Sequence, residues 1–445
     1  MAKTLFYGGH IITENDQDEI YQKGWVLVEN DRIIGIGEGD PPEVDGEVER
    51  RNVQGHVVMP GFVNIHTHVG GTIFKALSEN LENSFYGFCF PMERFLTPES
   101  MHAISMVGAM EAVKFGSTFI NDMYHYPHST AKAVGDLGMR GIISGKIYEP
   151  DFCRLQYNDY TPIPGQAEEK LGVNVDLIEK YHKTYDGRIE CGFGPHATDT
   201  VSIPLAKRIR DLADHYGVRI HTHVSQKTQE VEHDLKAYGM RPVEYLLETG
   251  LAGPDLTAAH CVYLTDHDAE LLQKHHIHVA HCAEVFLKTG VFADVKKWYD
   301  HDIYYALGTD WVTLNPWTNM RFYLAGWRTL GGIDRKYSNA SQAMRRATIE
   351  AARFIGKGDE LGSLEVGKKA DLLVLDVRQP HLTPMYDDVV ATLVFNATGN
   401  EVETVMIDGR IVVDNFKVQT VDEMSAMEEA SEYCKFYLKK QLEAK

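Results

Sequence analysis

Two histidines, His66 and His68, stand one residue apart at the end of a short apolar run. On a β-strand, residues i and i+2 point to the same face, so these imidazoles would project side by side. Paired imidazoles can hold a divalent metal ion. Because the chain has 21 histidines, an isolated pair also arises by chance, and two polar residues at a strand end are the simpler interpretation. The rest of the chain must decide between the two.

Polar residues also close other strand-like runs, among them His223, His260 and Asp310. Neutral imidazoles combined with a carboxylate form a site that suits Zn²⁺, and also Fe²⁺ or another divalent first-row ion. Such an ion lowers the pKa of a bound water towards ~7. An aspartate beside that water can accept its proton, and a neighbouring histidine can polarise the group under attack. The predicted chemistry is therefore hydrolysis by a metal-activated water.

These residues lie far apart in the chain, so the fold must bring them together. Short apolar runs alternate with segments that carry apolar residues at helical spacing, such as 98–115 and 203–216. Repeated β-then-α units predict an α/β fold of the (β/α)8 barrel type, in which chemistry takes place at the C-terminal ends of the strands. The predicted strands are 62–68, 117–122, 141–148, 188–196, 218–224, 256–262, 277–284 and 303–310.

The two ends of the chain have a different pattern, with strand-like runs and hairpin turns such as Asp408-Gly409. They predict one small β-sandwich domain built from both ends. The predicted organisation is an N-terminal part of the β-domain, the barrel, a C-terminal part of the β-domain and a final helix, over residues 1–58, 59–357, 358–420 and 421–445.

Composition narrows the class of partner. Lys and Arg number 44 against 64 Asp and Glu, giving a net charge of −20. So acidic a chain argues against nucleic acid and anionic membranes as partners and favours a small-molecule substrate. The 6 cysteines include no C-x-x-C pair, as expected for reduced thiols in the cytoplasm. No signal-peptide core or membrane-spanning apolar run is evident.

Several motifs together resemble the amidohydrolase superfamily, in particular its branch of S-adenosylhomocysteine/methylthioadenosine deaminases and triazine hydrolases. The resemblance covers nearly the whole chain. It is carried by Met59-Pro60-Gly61-Phe62 leading to His66-Thr67-His68, Pro91-Met92-Glu93, Gly116-Ser117-Thr118, Gly194-Pro195-His196, His221-Thr222-His223, Ala259-His260-Cys261, Leu307-Gly308-Thr309-Asp310 and Gly367-Lys368-Lys369-Ala370-Asp371.

The resemblance implies a ligand set of His66, His68, His223 and Asp310 around one metal ion. Asp310 would also deprotonate the water, and His260 would stabilise the developing charge. Binuclear relatives carry a bridging lysine on the fourth barrel strand, where this chain has none, so one metal is expected. Relatives commonly form dimers or tetramers, which makes a homo-oligomer the expectation.

The same resemblance suggests substrate contacts. His196 matches a substrate-contacting histidine, and His281 matches a pocket-facing position, although a structural hydrogen bond is an alternative role for it. Phe85 and Tyr86 lie where the family often has a Trp-Leu pair, and Trp311 stands where the family usually has a small residue. The pocket is thus expected to be aromatic, while a packed aromatic cluster is the simpler alternative.

Gln226 is the main departure from the family pattern, because the deaminases have a glutamate there that shuttles a proton. A carboxamide does not titrate. Three explanations stay open: the substrate does not need that proton, another group such as Glu284 or His281 supplies it, or this activity is lost.

The leading hypothesis is deamination of an N-heterocyclic small molecule related to a purine, pyrimidine or triazine. The alternatives are displacement of a halide or alkylamine, hydrolysis of an amide or urea, and a catalytically impaired ligand-binding protein.

Overall fold

The structure is a computed structural model of the chain, and it describes residues 3–333 and 338–443. Positions 1–2, 334–337 and 444–445 belong to the predicted N-terminal, barrel and C-terminal segments and lie outside the described residues.

The chain begins with antiparallel hairpin strands, which are later joined by strands from the other end. β1 pairs with β2, and β2 with β3, while β4 and β5 run parallel to β1. Asn30 lies in the tight β2–β3 turn with a positive φ of 55°, a conformation that asparagine tolerates better than most residues. The strands are β1 (Lys3–Ile12), β2 (Ile20–Glu29), β3 (Arg32–Glu38), β4 (Glu49–Asn52) and β5 (His56–Pro60).

Eight parallel strands follow in sequence order as one sheet. A parallel bridge between Thr67 and Asp310 joins the last strand to the first, so the predicted (β/α)8 barrel is confirmed. All eight predicted runs form strands, which are β6 (Phe62–Thr67), β7 (Ser117–Tyr124), β8 (Arg140–Ile147), β9 (Ile189–Pro195), β10 (Ile220–Val224), β11 (Leu256–His260), β12 (His278–His281) and β13 (Tyr305–Leu307).

The chain then returns to the first sheet, where β14 pairs antiparallel with β5 and completes a mixed sheet of nine strands. This confirms that both chain ends build one β-domain. At its junction with the barrel, the Arg140 guanidinium at the start of β8 binds the buried carboxylates of Asp371 and Asp408. The returning strands are β14 (Leu372–Asp376), β15 (Val402–Ile407), β16 (Arg410–Asp414) and β17 (Lys417–Val418).

Helices alternate with the barrel strands and cover the sheet. Apolar side chains on them pack with the outward-facing strand residues into one large core. The helices are α1 (Phe90–Glu93), α2 (Pro98–Lys114), α3 (Pro127–Leu137), α4 (Gln166–Tyr181), α5 (Ile203–Tyr216), α6 (Thr228–Tyr238), α7 (Pro242–Thr249), α8 (Asp266–Lys274), α9 (Ala283–Leu287), α10 (Val295–Asp300), α11 (Pro316–Gly331), α12 (Ala340–Ala347), α13 (Ile349–Phe354), α14 (Val389–Asn396) and α15 (Glu423–Glu443).

The long connection after β6 matters most for the site. It contains a 3₁₀ turn at Val69–Phe74 and a π-helical turn at Phe85–Cys89 that continues into α1. Aromatic residues of this connection cover the end of the barrel where the polar strand ends meet. Within the two described stretches, no helix combines the length and apolar character needed to cross a membrane.

Candidate metal centre and active site

The C-terminal strand ends bring the predicted metal ligands together. His66 Nε2 and His68 Nε2 lie 3.5 and 3.4 Å from Asp310 Oδ1. His68 Nε2 is also 3.2 Å from His223 Nε2. The donor nitrogens of His66, His68 and His223 all lie within 4.8 Å of one another. Residues from the first, fifth and eighth barrel strands therefore converge on one point, as divalent metal coordination requires.

Hydrogen bonds behind these ligands fix their tautomers. His68 Nδ1 donates to the Met123 carbonyl, and His223 Nδ1 donates to the His196 carbonyl, each at 2.6 Å. Since each of these ring nitrogens carries the proton, each Nε2 presents a lone pair to the centre. Two such lone pairs 3.2 Å apart repel one another unless a cation lies between them.

His221 performs the corresponding role for His66. Its Nε2 lies 2.6 Å from His66 Nδ1, while His66 Nε2 has no hydrogen-bond partner among the described residues. In the sequence, His221 was noted only as part of the motif His221-Thr222-His223 and was given no role of its own. His221 and His223 are two residues apart on β10 and therefore point to the same face. The alternation that places His223 at the centre thus also predicts that His221 lies beside it.

The electrostatics favour neutral imidazoles. Burial lowers the pKa of His66 and His68 well below the usual range, and burial, opposed by Asp310, lowers the pKa of His223 to about 4. Burial raises the pKa of Asp310, which the neighbouring His260 and His223 oppose. Uncharged imidazoles and one carboxylate are the donor set that a divalent first-row ion prefers, so these residues fit such an ion.

His260 lies at the end of β11, with its Nε2 3.9 Å from Asp310 Oδ2. Both residues have positive backbone φ angles, 80° for His260 and 63° for Asp310. Such conformations are strained for residues with a Cβ and occur often at functional sites. They turn the two side chains towards the centre from strands six and eight of the barrel.

Cys282 is a neighbour that sequence reasoning missed. Its Sγ and one donor atom each of His66, His260 and Asp310 lie within 4.8 Å of one another. Burial raises the pKa of the Cys282 thiol well above its usual range. Because the thiolate is the metal-binding form, Cys282 is better explained as packing beneath the centre than as a ligand. Because Cys282 directly follows His281 at the end of a predicted strand, its place in the sequence could have indicated that it lies near the centre.

A small pocket of about 20 Å³ adjoins the centre, roughly the space for one water molecule. Its walls include the rings of Phe85 and Trp311, which pack against each other with their centres 4.4 Å apart. These two predicted substrate contacts therefore do line the pocket.

His196 and Gln226 also line this pocket. His196 Nδ1 lies 2.9 Å from Thr200 Oγ1, which leaves its Nε2 for a ligand. The backbone N–H of Gln226 donates to Glu230 Oε2 at 2.7 Å, so the start of α6 fixes the loop that carries the carboxamide. Both residues thus lie where a substrate next to the metal would contact them.

Three other predicted contacts lie outside the pocket wall. The His281 ring packs among Phe292, Trp298 and Tyr323 on the helix side of β12, because the last residue of that strand points outwards. This packing supports a structural role for His281, which was the alternative to a pocket-facing role in the sequence analysis.

Glu284 and Tyr86 are directed elsewhere as well. The Glu284 carboxylate binds Lys288 Nζ at 2.6 Å, one turn further along the chain. Tyr86 packs beside Phe90, and the Lys227 ammonium lies 3.9 Å from the centre of its ring. Each of these contacts turns the side chain away from the metal ligands, which the one-dimensional pattern did not reveal.

A second buried polar cluster lies on the opposite side of the pocket. Lys146 Nζ, at the end of β8, is 3.0 Å from Glu93 Oε1, and His125 Nε2 is 2.9 Å from Glu93 Oε2. Burial raises the pKa of Glu93, but Lys146 and His125 outweigh it and hold this pKa at about 2. Glu93 and Lys146 line both the small pocket and a neighbouring cavity of about 530 Å³. The sequence showed Glu93 in the motif Pro91-Met92-Glu93 and Lys146 within the predicted strand 141–148, but no pattern connected the two.

With this geometry established, comparison with known proteins gives the family. A model of the amidohydrolase family matches residues 57–412. The chain belongs to the amidohydrolase family. This amidohydrolase is 33% identical over 414 residues to a 5-methylthioadenosine/S-adenosylhomocysteine deaminase from Caldanaerobacter subterraneus subsp. tengcongensis, with 92% of each chain covered.

Solved structures share the fold of this amidohydrolase. An adenosine deaminase from Xanthomonas campestris with bound zinc superposes with a TM-score of 0.89 at 24% identity, covering 98% of both chains. An atrazine chlorohydrolase from Arthrobacter aurescens complexed with zinc gives a TM-score of 0.87 at 20% identity, covering 97% of this chain and 100% of that one. The predicted family and branch are confirmed, and the protein is a metal-dependent hydrolase that acts on carbon–nitrogen bonds.

Proposed function

We propose that this amidohydrolase removes an amino group from an N-heterocyclic small molecule, with one zinc ion held by His66, His68, His223 and Asp310. The convergence of these donors beside an aromatic pocket carries the proposal. The deaminase relative acts on 5-methylthioadenosine and S-adenosylhomocysteine according to its name, which makes an amino-substituted aromatic ring the first class to test.

The side chains divide the reaction between them. A bound divalent ion would lower the pKa of a water molecule and so supply hydroxide near neutral pH. Asp310 accepts the proton of the attacking water, since its carboxylate lies beside the ligand nitrogens. His260 stabilises the negative charge that develops on the reacting carbon's substituents.

The remaining pocket residues orient the ring. Phe85 and Trp311 provide flat apolar faces for stacking. His196 and Gln226 offer hydrogen bonds to ring atoms, the carboxamide serving as donor or acceptor. The packed rings of Phe85 and Trp311 shield this pocket from bulk water, which strengthens the electrostatic contacts inside.

Ammonia release is the direct test. The protein is purified, its metal content is measured, and metal-free and zinc-loaded forms are assayed on aminopurine nucleosides, free aminopurines, aminopyrimidines and aminotriazines. We expect one metal ion per chain and zinc-dependent ammonia release from at least one class. His267→Ala is a suitable control, because His267 is an exposed histidine on α8.

Other outcomes separate the alternatives. Release of halide or alkylamine from substituted triazines without ammonia from any amine would favour the displacement reaction. Turnover of amides or ureas alone would favour amide or urea hydrolysis as the native reaction. Metal binding with no turnover in any class, but with saturable binding of a heterocycle, would favour a ligand-binding protein and refute the deaminase.

Cellular location and assembly are part of the same proposal. We place the enzyme in the cytoplasm as a homo-oligomer, a dimer or tetramer. All six cysteines are free thiols, which suits a reducing compartment. Sedimentation of the purified protein measures the oligomeric state, and a monomer at micromolar concentration would contradict this part.

A further inference from the structure

A deamination needs a proton on the ring nitrogen beside the reacting carbon, and Gln226 cannot supply it because a carboxamide does not titrate. The two substitutes that the sequence offered, Glu284 and His281, point away from the pocket. The proton donor must therefore be another residue of the pocket wall, if the proposed function holds.

Apart from the predicted metal ligands and His260, four titratable side chains line the pocket: Glu93, Tyr124, Lys146 and His196. Glu93 is a carboxylate at neutral pH, because its pKa lies at about 2. His196 already uses one ring nitrogen in a 2.9 Å contact with Thr200 Oγ1. Lys146 is the cationic N–H donor among these four side chains, and its ammonium is paired with Glu93.

The position of Lys146 suits a proton donor. Its side chain is buried, and its Nζ lies 4.3 Å from the centre of the Tyr124 ring and 5.3 Å from that of Phe90. Aromatic faces stabilise the ammonium without accepting its protons strongly. Of its three N–H groups, Glu93 occupies one, so others remain for a substrate in the adjoining pocket.

A hydrogen-bonded chain connects Lys146 to the larger cavity. His125 Nε2 lies 2.9 Å from one Glu93 oxygen, and Lys146 Nζ lies 3.0 Å from the other. His125 lines the cavity of about 530 Å³, whereas Lys146 lines both spaces. The three side chains thus form a continuous path from that cavity to the metal-side pocket.

We propose that Lys146 is the general acid of this enzyme, delivering a proton to the substrate ring in place of the carboxylate that Gln226 replaces, with Glu93 and His125 positioning it. The proposal rests on the deaminase function. Glu93 and His125 are positioning residues, because they act through Lys146.

The protons balance over the reaction. Water loses one proton to Asp310 as its oxygen bonds to the amine-bearing carbon. The electron pair of the ring C=N bond moves to the ring nitrogen, which takes a proton from the Lys146 ammonium. The amino group then takes the proton from Asp310, and the carbon–nitrogen bond breaks to release ammonia. The new hydroxyl group returns its proton to Lys146 and becomes a carbonyl.

The test compares Lys146→Met with Lys146→Arg in the zinc-loaded full-length protein. Arginine keeps the positive charge but does not release a proton near neutral pH. We expect both variants to lose roughly 10²–10⁴-fold in kcat, while Lys146→Arg keeps KM within about threefold of the wild type. Metal content and thermal unfolding are measured for both, so that a folding defect is recognised.

Chemical rescue provides a second readout that a structural role would not give. Lys146→Ala should regain activity when methylammonium is added, in proportion to its concentration, because a small ammonium ion fits the space left by the side chain. Glu93→Gln should lower kcat less than Lys146→Met does, since the ammonium remains in place.

Two results would overturn the assignment. Recovery of wild-type kcat in Lys146→Arg would show that charge alone is needed, and full activity in a folded Lys146→Met variant would show that another group donates. Both presuppose a wild-type enzyme that releases ammonia. A wild type that binds zinc but deaminates nothing refutes the proposed function instead, so the two failures are distinguishable.

Discussion

The two sides of the pocket are built differently. On the metal side, the second ring nitrogen of each ligand imidazole has a partner: Met123 behind His68, His196 behind His223 and His221 behind His66. On the opposite side, Gln226 carries a carboxamide, which does not titrate, and Glu93 and Lys146 form an ion pair. The metal side is therefore preorganised for one task, whereas the opposite side contains the departure from the family pattern that the sequence predicts at Gln226.

This difference has a physical origin. Metal coordination demands particular donors at particular distances, so few substitutions are compatible with it. A substrate-facing wall needs only hydrogen-bonding and shape complementarity to one ligand, and a change there alters specificity without dismantling the centre. Removal of a metal ligand should accordingly cause a larger loss than any single change on the opposite side.

The largest effect is expected for a metal ligand. His68→Ala removes one donor and leaves His223 without its partner across the centre. We expect loss of tightly bound zinc and a fall in ammonia release greater than the roughly 10²–10⁴-fold typical of a lost acid–base group. Metal analysis after dialysis and initial rates measure this, with His267→Ala alongside. Retention of stoichiometric zinc by His68→Ala would remove His68 from the ligand set.

A smaller loss is expected from His221, which supports a ligand without binding the metal itself. His221→Ala frees His66 Nδ1 from its 2.6 Å contact. Removing such a partner typically weakens metal binding by about 10–100-fold. Competition with a zinc-selective chelator gives the affinity. His221→Gln, which can still hydrogen-bond to His66, should recover part of it, and equal affinities for the wild type and His221→Ala would show that the metal side is less preorganised than described.

Sequence reasoning reached the metal side almost completely because that side follows from periodic patterns. Each ligand stands at the end of an apolar run, and the barrel topology places all such ends on one face. His66, His68, His223, His260 and Asp310 accordingly meet in the structure. The roles assigned to them remain predictions until activity is measured.

The opposite side was harder to predict, because its residues come from long connections or depend on side-chain direction. His281 and Glu284 lie beside strand ends, yet packing against Trp298 and pairing with Lys288 turn them away. Glu93 belongs to a short helix after a long loop, and no periodicity links it to Lys146 on β8. Such contacts between distant segments require three-dimensional packing to be known.

A glutamate at position 226 tests whether a carboxylic acid there can take over the proton donation proposed for Lys146. In the Lys146→Met background, Gln226→Glu should recover about tenfold in kcat, part of the loss expected for a missing general acid. In the wild-type background the same change should slow the native reaction, since a second buried charge then faces the substrate. Failure of the double variant to exceed Lys146→Met would contradict a shared role for the two positions, provided that its zinc content is normal.

The smallest effect is expected for the aromatic cover. Phe85→Ala removes one of two rings that pack 4.4 Å apart, and an aromatic pair contributes about 0.5–1.5 kcal/mol beyond area burial. KM should therefore rise by roughly two- to tenfold, while kcat and zinc content change little. Phe85→Leu keeps the apolar bulk, so its KM should lie between those of the wild type and Phe85→Ala. A kcat loss as large as that of Lys146→Met would mean that Phe85 holds reacting groups in place, and the two sides of the pocket would then depend on each other.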